Sequence, residues 1–162
     1  MKKRRLYTPG PTPVPPDAVL AMAQPIDYHR GEAASAVFRR CADGMKTVVG
    51  TASDVAIITS SGSGAMEAAV VNLLSLGDKA IVVESGKFGE RWGEIADAYG
   101  IEVVRVAVEW GASVDPAAIE REMRRHPDAR AVFATLCETS TGALHDIRAL
   151  ATLTQATDTL LV

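Results

Sequence analysis

"KAIVVESGKFGERWGEIADAYGIEVVRVAV", residues 79–108, decides how the whole chain is read. KAIVVE is a short β-branched apolar run bounded by charge, the composition of a buried strand. FGERWGEIADAY (88–99) shifts to helical composition and meets Gly100, a residue suited to stopping helices. EVVRVAV (102–108) returns to a strand. Parallel strands need a crossover of about a dozen residues, usually a helix, so this order indicates a β-α-β unit.

The alternation continues on both sides. VAIIT (55–59) reads as a strand, followed by a helix over 65–76 closed by Gly77. PAAIEREMRRH (116–126) reads as a helix with Asp115 as cap and Pro116 at its first position. RAVFAT (130–135) is a strand, DIRALATLTQA (146–156) a helix, and TLLV opens a further strand. The expected fold class is α/β: a mainly parallel sheet flanked by helices. A sheet ending at a nascent strand leaves an unpaired edge, so the sequence reads as truncated.

Upstream, TPGPTPVPP (8–16) is stiff and extended, with too few N–H groups to join a sheet. Asp17 is expected to cap a short helix, AVLAMAQ. Residues 33–49 place Ala36, Phe38, Met45, Val48 and Val49 at helical spacing, which predicts an amphipathic helix. The expected division is an arm with a short helix over 1–32 and the sheet domain over 33–162.

With 162 residues, 48% of them hydrophobic, the chain can bury a core. Its net charge of −3, with both signs interspersed, recommends neither a nucleic-acid nor a membrane partner. The opening MKKRR is basic, but the proline-rich stretch behind it lacks the apolar run of a signal peptide. Cys41 and Cys137 have neither metal-ligand nor CxxC spacing, which fits a reducing cytoplasm. His29, His126 and His145 show no pattern and are read as surface or loop residues.

The loop between VAIIT and the next helix, SSGSG (60–64), is the first candidate site. In open parallel sheets ligands bind beyond the carboxyl ends of the strands. Free amides at a helix start suit a phosphate, glycine admits close approach, and serine adds donors. The same composition suits an ordinary turn, and composition leaves both readings open. A P-loop is excluded for want of a lysine. A dinucleotide fingerprint is excluded because Glu67 stands at its third glycine. A nucleophile elbow fails at Ser61. What remains is a seat for one compact phosphate rather than a pyrophosphate.

TPGPTPVPP, TSSGSGAMEAAVVNLL followed by GDK, GKFGERW, and ETSTGALHDI occur in this order across nearly the whole chain. Together they resemble the N-terminal half of a class V aminotransferase, within the alanine/serine–glyoxylate (serine–pyruvate) group of fold-type I pyridoxal-phosphate enzymes. The resemblance implies pyridoxal 5′-phosphate as cofactor, with its phosphate held at Ser61, Gly62 and Ser63. It implies that Phe88 stacks on the pyridine ring and that the Thr139 hydroxyl meets the phenolic oxygen. Ser140 and Thr141 are expected as turn and cap residues, Glu138 as structural, Trp92 in a helix interface, and Cys137 as partly buried near the site. Backbone at Gly10 is expected to approach the substrate.

The implied reaction moves an amino group from a small amino acid, alanine or serine, to a 2-oxo acid, glyoxylate or pyruvate, in a cytoplasmic homodimer. Phosphonate transamination and cysteine desulfuration are sister activities; the family's desulfurases carry histidine where this chain has Phe88. A non-catalytic phosphate-binding or assembly module is the alternative outside enzymology. The resemblance also demands a lysine bonded to the cofactor, an acid beside the pyridine nitrogen, and an arginine for the substrate carboxylate. None of Lys2, Lys3, Lys46, Lys79 and Lys87 stands in the lysine's context. The chain as it stands is therefore expected to be inactive alone, and no catalytic residue is assigned.

Overall fold

The computed structural model describes residues 6–162; the basic opening MKKRR, with Lys2 and Lys3, lies outside them. Chain contacts divide the molecule into one unit ending at Thr59 and a second spanning Ser60–Val162. In the first unit, α1 spans Pro16–Met22 and α2 spans Glu32–Val49. Asp17 is not the cap of α1 but lies in its first turn, behind Pro15. The ring of Pro16 keeps the preceding residue out of the helical region and sets its own φ for the first helical position, so the helix starts there.

The Gly50 backbone closes α2 in the left-handed region, φ 72°, with its N–H bonded to the Lys46 carbonyl. No residue of α2 is buried, and Phe38 is 57% exposed. The expected strand over 55–59 does not form. A strand exists through hydrogen bonds to a neighbour, and none of the described strands pairs with this stretch. Its Ile57 and Ile58 remain exposed.

The second unit opens with α3, Gly62–Leu73, three residues earlier than the sequence suggests. First-turn N–H groups have no intrahelical partner in any helix, so Gly62 and Ser63 fit there at little cost. The helix ends at Leu73, and Gly77 (φ 84°) belongs to the following turn. Asp78 fixes that turn by accepting the Ser75 N–H at 2.8 Å.

Then come β1 (Lys79–Glu84), α4 (Lys87–Ala98), β2 (Glu102–Ala107), α5 (Pro116–Arg125) and β3 (Ala129–Phe133). A short hairpin, β4 (Cys137–Glu138) and β5 (Ala143–Leu144), precedes α6 (Ile147–Thr154) and β6 (Leu160–Leu161). The cap of α5 is the expected Asp115, whereas Asp146, expected as the first residue of the last helix, stands just outside α6 as its cap. Asp115 accepts from Ala117 N at 3.0 Å, and Asp146 from Ala149 N at 2.9 Å.

The sheet runs in the order β2-β1-β3-β6, entirely parallel. Side chains on β1 alternate between faces. Ala80 and Val82 pack with Val70 of α3, Ala96 of α4 and Phe133; Ile81 and Val83 pack with Ile119 of α5 and Leu150 of α6. Each face is thus covered by a pair of helices, which is why β1 tolerates four consecutive buried apolar residues. From β1 the chain crosses to β2 on one side, and from β3 to β6 on the other. The carboxyl ends of β1 and β3 therefore flank a topological switch point, where such sheets open a crevice. Among the described residues, no helix is long and apolar enough to cross a membrane.

Candidate functional site

A cavity of about 460 Å³ opens at that switch point, within the usual range for small-ligand sites. Three segments line it: Ser61, Gly62, Ser63 and Met66 at the start of α3; Phe88 and Trp92 from α4; and Ala134, Thr135, Cys137 and Thr139 beyond β3. Among the described residues, neither a carboxylate nor a lysine lines it. An anion placed there meets no negative side chain.

At the α3 edge, Ser61 precedes the helix in extended conformation, and no side chain caps the helix. The Gly64 N–H bonds the Ser61 carbonyl at 3.0 Å, and the Gly62 and Ser63 amides stand at the helix start with the positive end of its dipole behind them. A Cβ built on Gly62 meets nothing within 4 Å, so a larger side chain there would occupy open space at the cup. Ser63 Oγ accepts a hydrogen bond from Arg91 Nη1 at 2.9 Å. Sequence reasoning missed this cation; its only signal was a basic residue one turn beyond Phe88 in GKFGERW.

Phe88 is held from behind by a group fifty residues away. The buried carboxylate of Glu138 accepts the N–H groups of Phe88 (3.1 Å) and Gly89 (2.9 Å), so it caps α4 from another segment. The same carboxylate accepts the Ser140 hydroxyl at 2.6 Å and the Ser140 N–H at 3.1 Å. Ser140 Oγ in turn accepts the Lys87 N–H at 3.0 Å. Burial pushes the Glu138 carboxyl up, but the Ser140 hydroxyl and the backbone N–H groups outweigh it and hold it below the usual carboxylate value. Glu138 is structural, as expected, and Ser140 is the latch between two loops rather than a simple turn residue.

The glycines of GKFG are explained by two close approaches, of Glu138 and Ser140 to Gly86 and of β1 to Gly89. A Cβ at Gly86 would lie 2.5 Å from Ser140 Oγ and 2.7 Å from Glu138 Cγ. One at Gly89 would lie 2.4 Å from the Val83 carbonyl oxygen. Only hydrogen fits at either place.

Behind the cavity, Trp92 stacks on Phe133 with ring centroids 4.7 Å apart, so it both lines the site and packs against the core. Cys137 is exposed at the cavity, not partly buried. Its position in the short β4 turns the side chain away from the sheet, while its neighbour Glu138 points inward. Thr139 reaches the cavity as well. Gly10 lies in the first unit, exposed in a bend.

His145 is buried, 2% exposed, contrary to its expected surface position. Its Nδ1 accepts the Val114 N–H at 3.0 Å, which leaves the proton on Nε2 to be donated to Ser85 Oγ at 2.7 Å. The ring thereby ties together the segments following β1, β2 and β5. Burial pushes its pKa down, partly offset by the charge of Glu138. Nothing local in GALHDI announces this, because all of its partners are distant in sequence.

The described lysines are engaged elsewhere. Lys46 pairs with Asp54 at 2.8 Å, Lys79 with Asp128 at 2.8 Å, and Lys87 with Glu90. These hydrogen bonds raise all three pKa values, so each amine is held as an ammonium.

Comparison with known proteins adds a family. The model described as "Aminotransferase class-V" matches residues 6–162. The chain is 40% identical over 151 residues to the small subunit of a soluble hydrogenase from Synechococcus sp., covering 91% of this chain and 39% of that protein. It is 30% identical over 151 residues to serine–glyoxylate aminotransferase of Methylorubrum extorquens, covering 91% and 38%. Among solved structures it matches a subgroup IV aspartate aminotransferase from Thermus thermophilus with TM-score 0.90 and 36% identity, covering 98% of this chain and 44% of that one. The chain thus spans about two fifths of the length of these relatives.

Proposed function

The chain belongs to the class V aminotransferase family, and from that membership we propose that it forms the cofactor-cradling part of an enzyme moving an amino group from alanine or serine to glyoxylate or pyruvate. Membership implies pyridoxal 5′-phosphate as the cofactor. One observation carries the reading: three motifs distant in sequence, around Ser61–Ser63, Phe88 and Thr139, line a single cavity at the switch point.

In this reading the first-turn amides of α3 and the hydroxyls of Ser61 and Ser63 hold the phosphate, and Arg91 adds positive charge beside Ser63. The Phe88 ring lies against the flat face of the pyridine. The Thr139 hydroxyl bonds the phenolic oxygen and orients the ring. Bound there, the cofactor supplies the electron sink that lets an amino group leave one carbon skeleton for another. Glu138 and Ser140 act only by fixing where Phe88 stands. Gly10 is proposed to pass the substrate, and the whole protein to work as a cytoplasmic homodimer. No described lysine is free to bond the cofactor, so residues 1–162 alone are proposed to be inactive.

The test is a titration of the full encoded protein with pyridoxal 5′-phosphate, followed by absorbance, beside a Gly62→Val variant. We expect binding in the wild type and at least tenfold weaker binding in the variant, with amino transfer from alanine or serine to glyoxylate or pyruvate. Equal affinity in both proteins would remove the cup from the phosphate. A second reading is favoured by the relative named as a hydrogenase subunit: a subunit that uses the cup without transamination and pairs with another polypeptide. Cofactor binding without any amino transfer, in a protein that forms no homodimer, would decide for it.

A further inference from the structure

The loop that carries Phe88 begins at Ser85, the first residue past β1, which is fully buried. Its hydroxyl oxygen lies 2.7 Å from His145 Nε2, the ring nitrogen that carries the proton because Nδ1 accepts the Val114 N–H. His145 closes the segment 136–145, and its own N–H donates to the Leu136 carbonyl at 2.9 Å. Within that segment the Glu138 carbonyl accepts the Thr141 and Gly142 N–H groups, at 3.1 and 2.7 Å, which fixes the turn internally. The same segment reaches the far end of the Phe88 loop. There Ser140 accepts the Lys87 N–H, and Glu138 accepts those of Phe88 and Gly89. Residues 85–89 are thus held at both ends by one short piece of chain, and Thr139 lines the cavity from that same piece.

Burying an imidazole costs free energy unless its nitrogens find partners, and an apolar side chain of similar size would fill the space at lower cost. An apolar residue could not fix the loop by a directed contact, whereas a buried polar network specifies one arrangement. Resting on the pyridoxal-phosphate reading, we infer that His145 is a positioning residue for the cofactor ring: through Ser85 it sets where Phe88 stands against the pyridine face. Neither His145 nor Ser85 lines the cavity, so the pair acts on the ligand only through Phe88. Among the described hydrogen bonds, none joins this pair to the start of α3, where Ser63 is bonded by Arg91 instead. Its effect therefore falls on the ring and not on the phosphate.

The experiment uses the full encoded protein freed of ligand, with pyridoxine 5′-phosphate and inorganic phosphate as probes. Pyridoxine 5′-phosphate has the ring and the phosphate but no aldehyde, so its affinity reads non-covalent contacts alone. His145→Gln keeps an N–H near the place of Nε2 and loses the acceptor for Val114. His145→Asn keeps that acceptor and loses the reach to Ser85. Affinity for pyridoxine 5′-phosphate is expected to fall about fivefold in His145→Asn and to stay within about twofold of the wild type in His145→Gln. Inorganic phosphate should bind all three proteins equally. In a Phe88→Ala background, His145→Asn should cause no further loss of ring affinity. Should His145→Asn fail to fold, Ser85→Ala removes the same hydrogen bond and gives the same comparison.

A role confined to stability predicts equal losses in the two variants, or the larger loss in His145→Gln, and either result would overturn the inference. An equal loss for inorganic phosphate would do so too, as would a full further loss on top of Phe88→Ala. A wild type that binds neither pyridoxal 5′-phosphate nor pyridoxine 5′-phosphate would sink the site reading and this inference with it. A wild type that binds both, beside a His145→Asn that binds equally well, would sink the inference alone.

Discussion

Helix α2 carries apolar residues at helical spacing and strand β1 an unbroken apolar run, and they end up in opposite environments. Ala80, Ile81, Val82 and Val83 of β1 are all buried, whereas no residue of α2 is. In the second unit the neighbours that cover β1 are close in the chain: α3 just before it, and β2, β3, α4, α5 and α6 after it. In the first unit, Phe38, Val48, Ile57 and Ile58 have the composition of a core without being buried. Periodicity states which face of an element is apolar; burial is a property of the element's partner.

That contrast can be tested, beginning with the largest effect. Phe133→Ala removes a fully buried ring stacked on Trp92 and should cost about 3–5 kcal/mol in urea unfolding. Phe38→Ala should cost within about 0.5 kcal/mol. Comparable losses would show that α2 is covered in solution and would break the contrast. Next, Gly89→Ala forces a Cβ into the Val83 carbonyl and should cost about 2–3 kcal/mol. Gly44→Ala, inside α2 with nothing within 4 Å, should stabilise by about 0.5–1 kcal/mol. A neutral Gly89→Ala would mean that α4 is free to move off β1.

A smaller pair concerns caps. Asp115→Ala loses a side-chain cap bond and should cost about 1 kcal/mol, while Asp17→Ala, which loses none, should have little effect. The last test is pH. The folded pKa of His145 lies below its ordinary value near 6.5, so the unfolded chain binds the extra proton first. The stability it protects is complete above pH 6.5 and is lost as pH falls toward the folded value. Glu138, depressed from 4.5, adds a second loss in the same direction at lower pH. Melting of the second unit followed from pH 8 to 4 should show this decline, and His145→Asn should flatten its upper part. A wild-type profile flat between pH 7 and 5 would contradict the buried neutral ring.

Much of the second unit was legible from the sequence, and the reasons are local. Gly100 at φ 72°, Pro116 at a helix start and Asp115 as its cap all act through neighbours a few residues away. The errors have physical causes too. Residues 62–64 look like loop because glycine and serine are poor helix formers, yet a first turn makes few demands on them. VAIIT has strand composition but no described partner to pair with. At the site, Ser61, Gly62, Ser63, Phe88 and Thr139 were all named from sequence and line one cavity. Arg91 went unnamed and His145 was read as a surface or loop residue, since each matters only through residues far away along the chain.

The sequence by itself determined the alternation of strands and helices, the breaks between them, and the absence of the P-loop and dinucleotide patterns. These follow from backbone preferences and from periodicity, which act over one or two turns. Only the tertiary structure decided that Glu138 caps a helix fifty residues away, that Gly86 leaves room for that approach and Gly89 for α4 against β1, and that His145 is buried among three loops. Such contacts depend on how distant segments pack, and packing is settled by the whole fold rather than by any stretch within it.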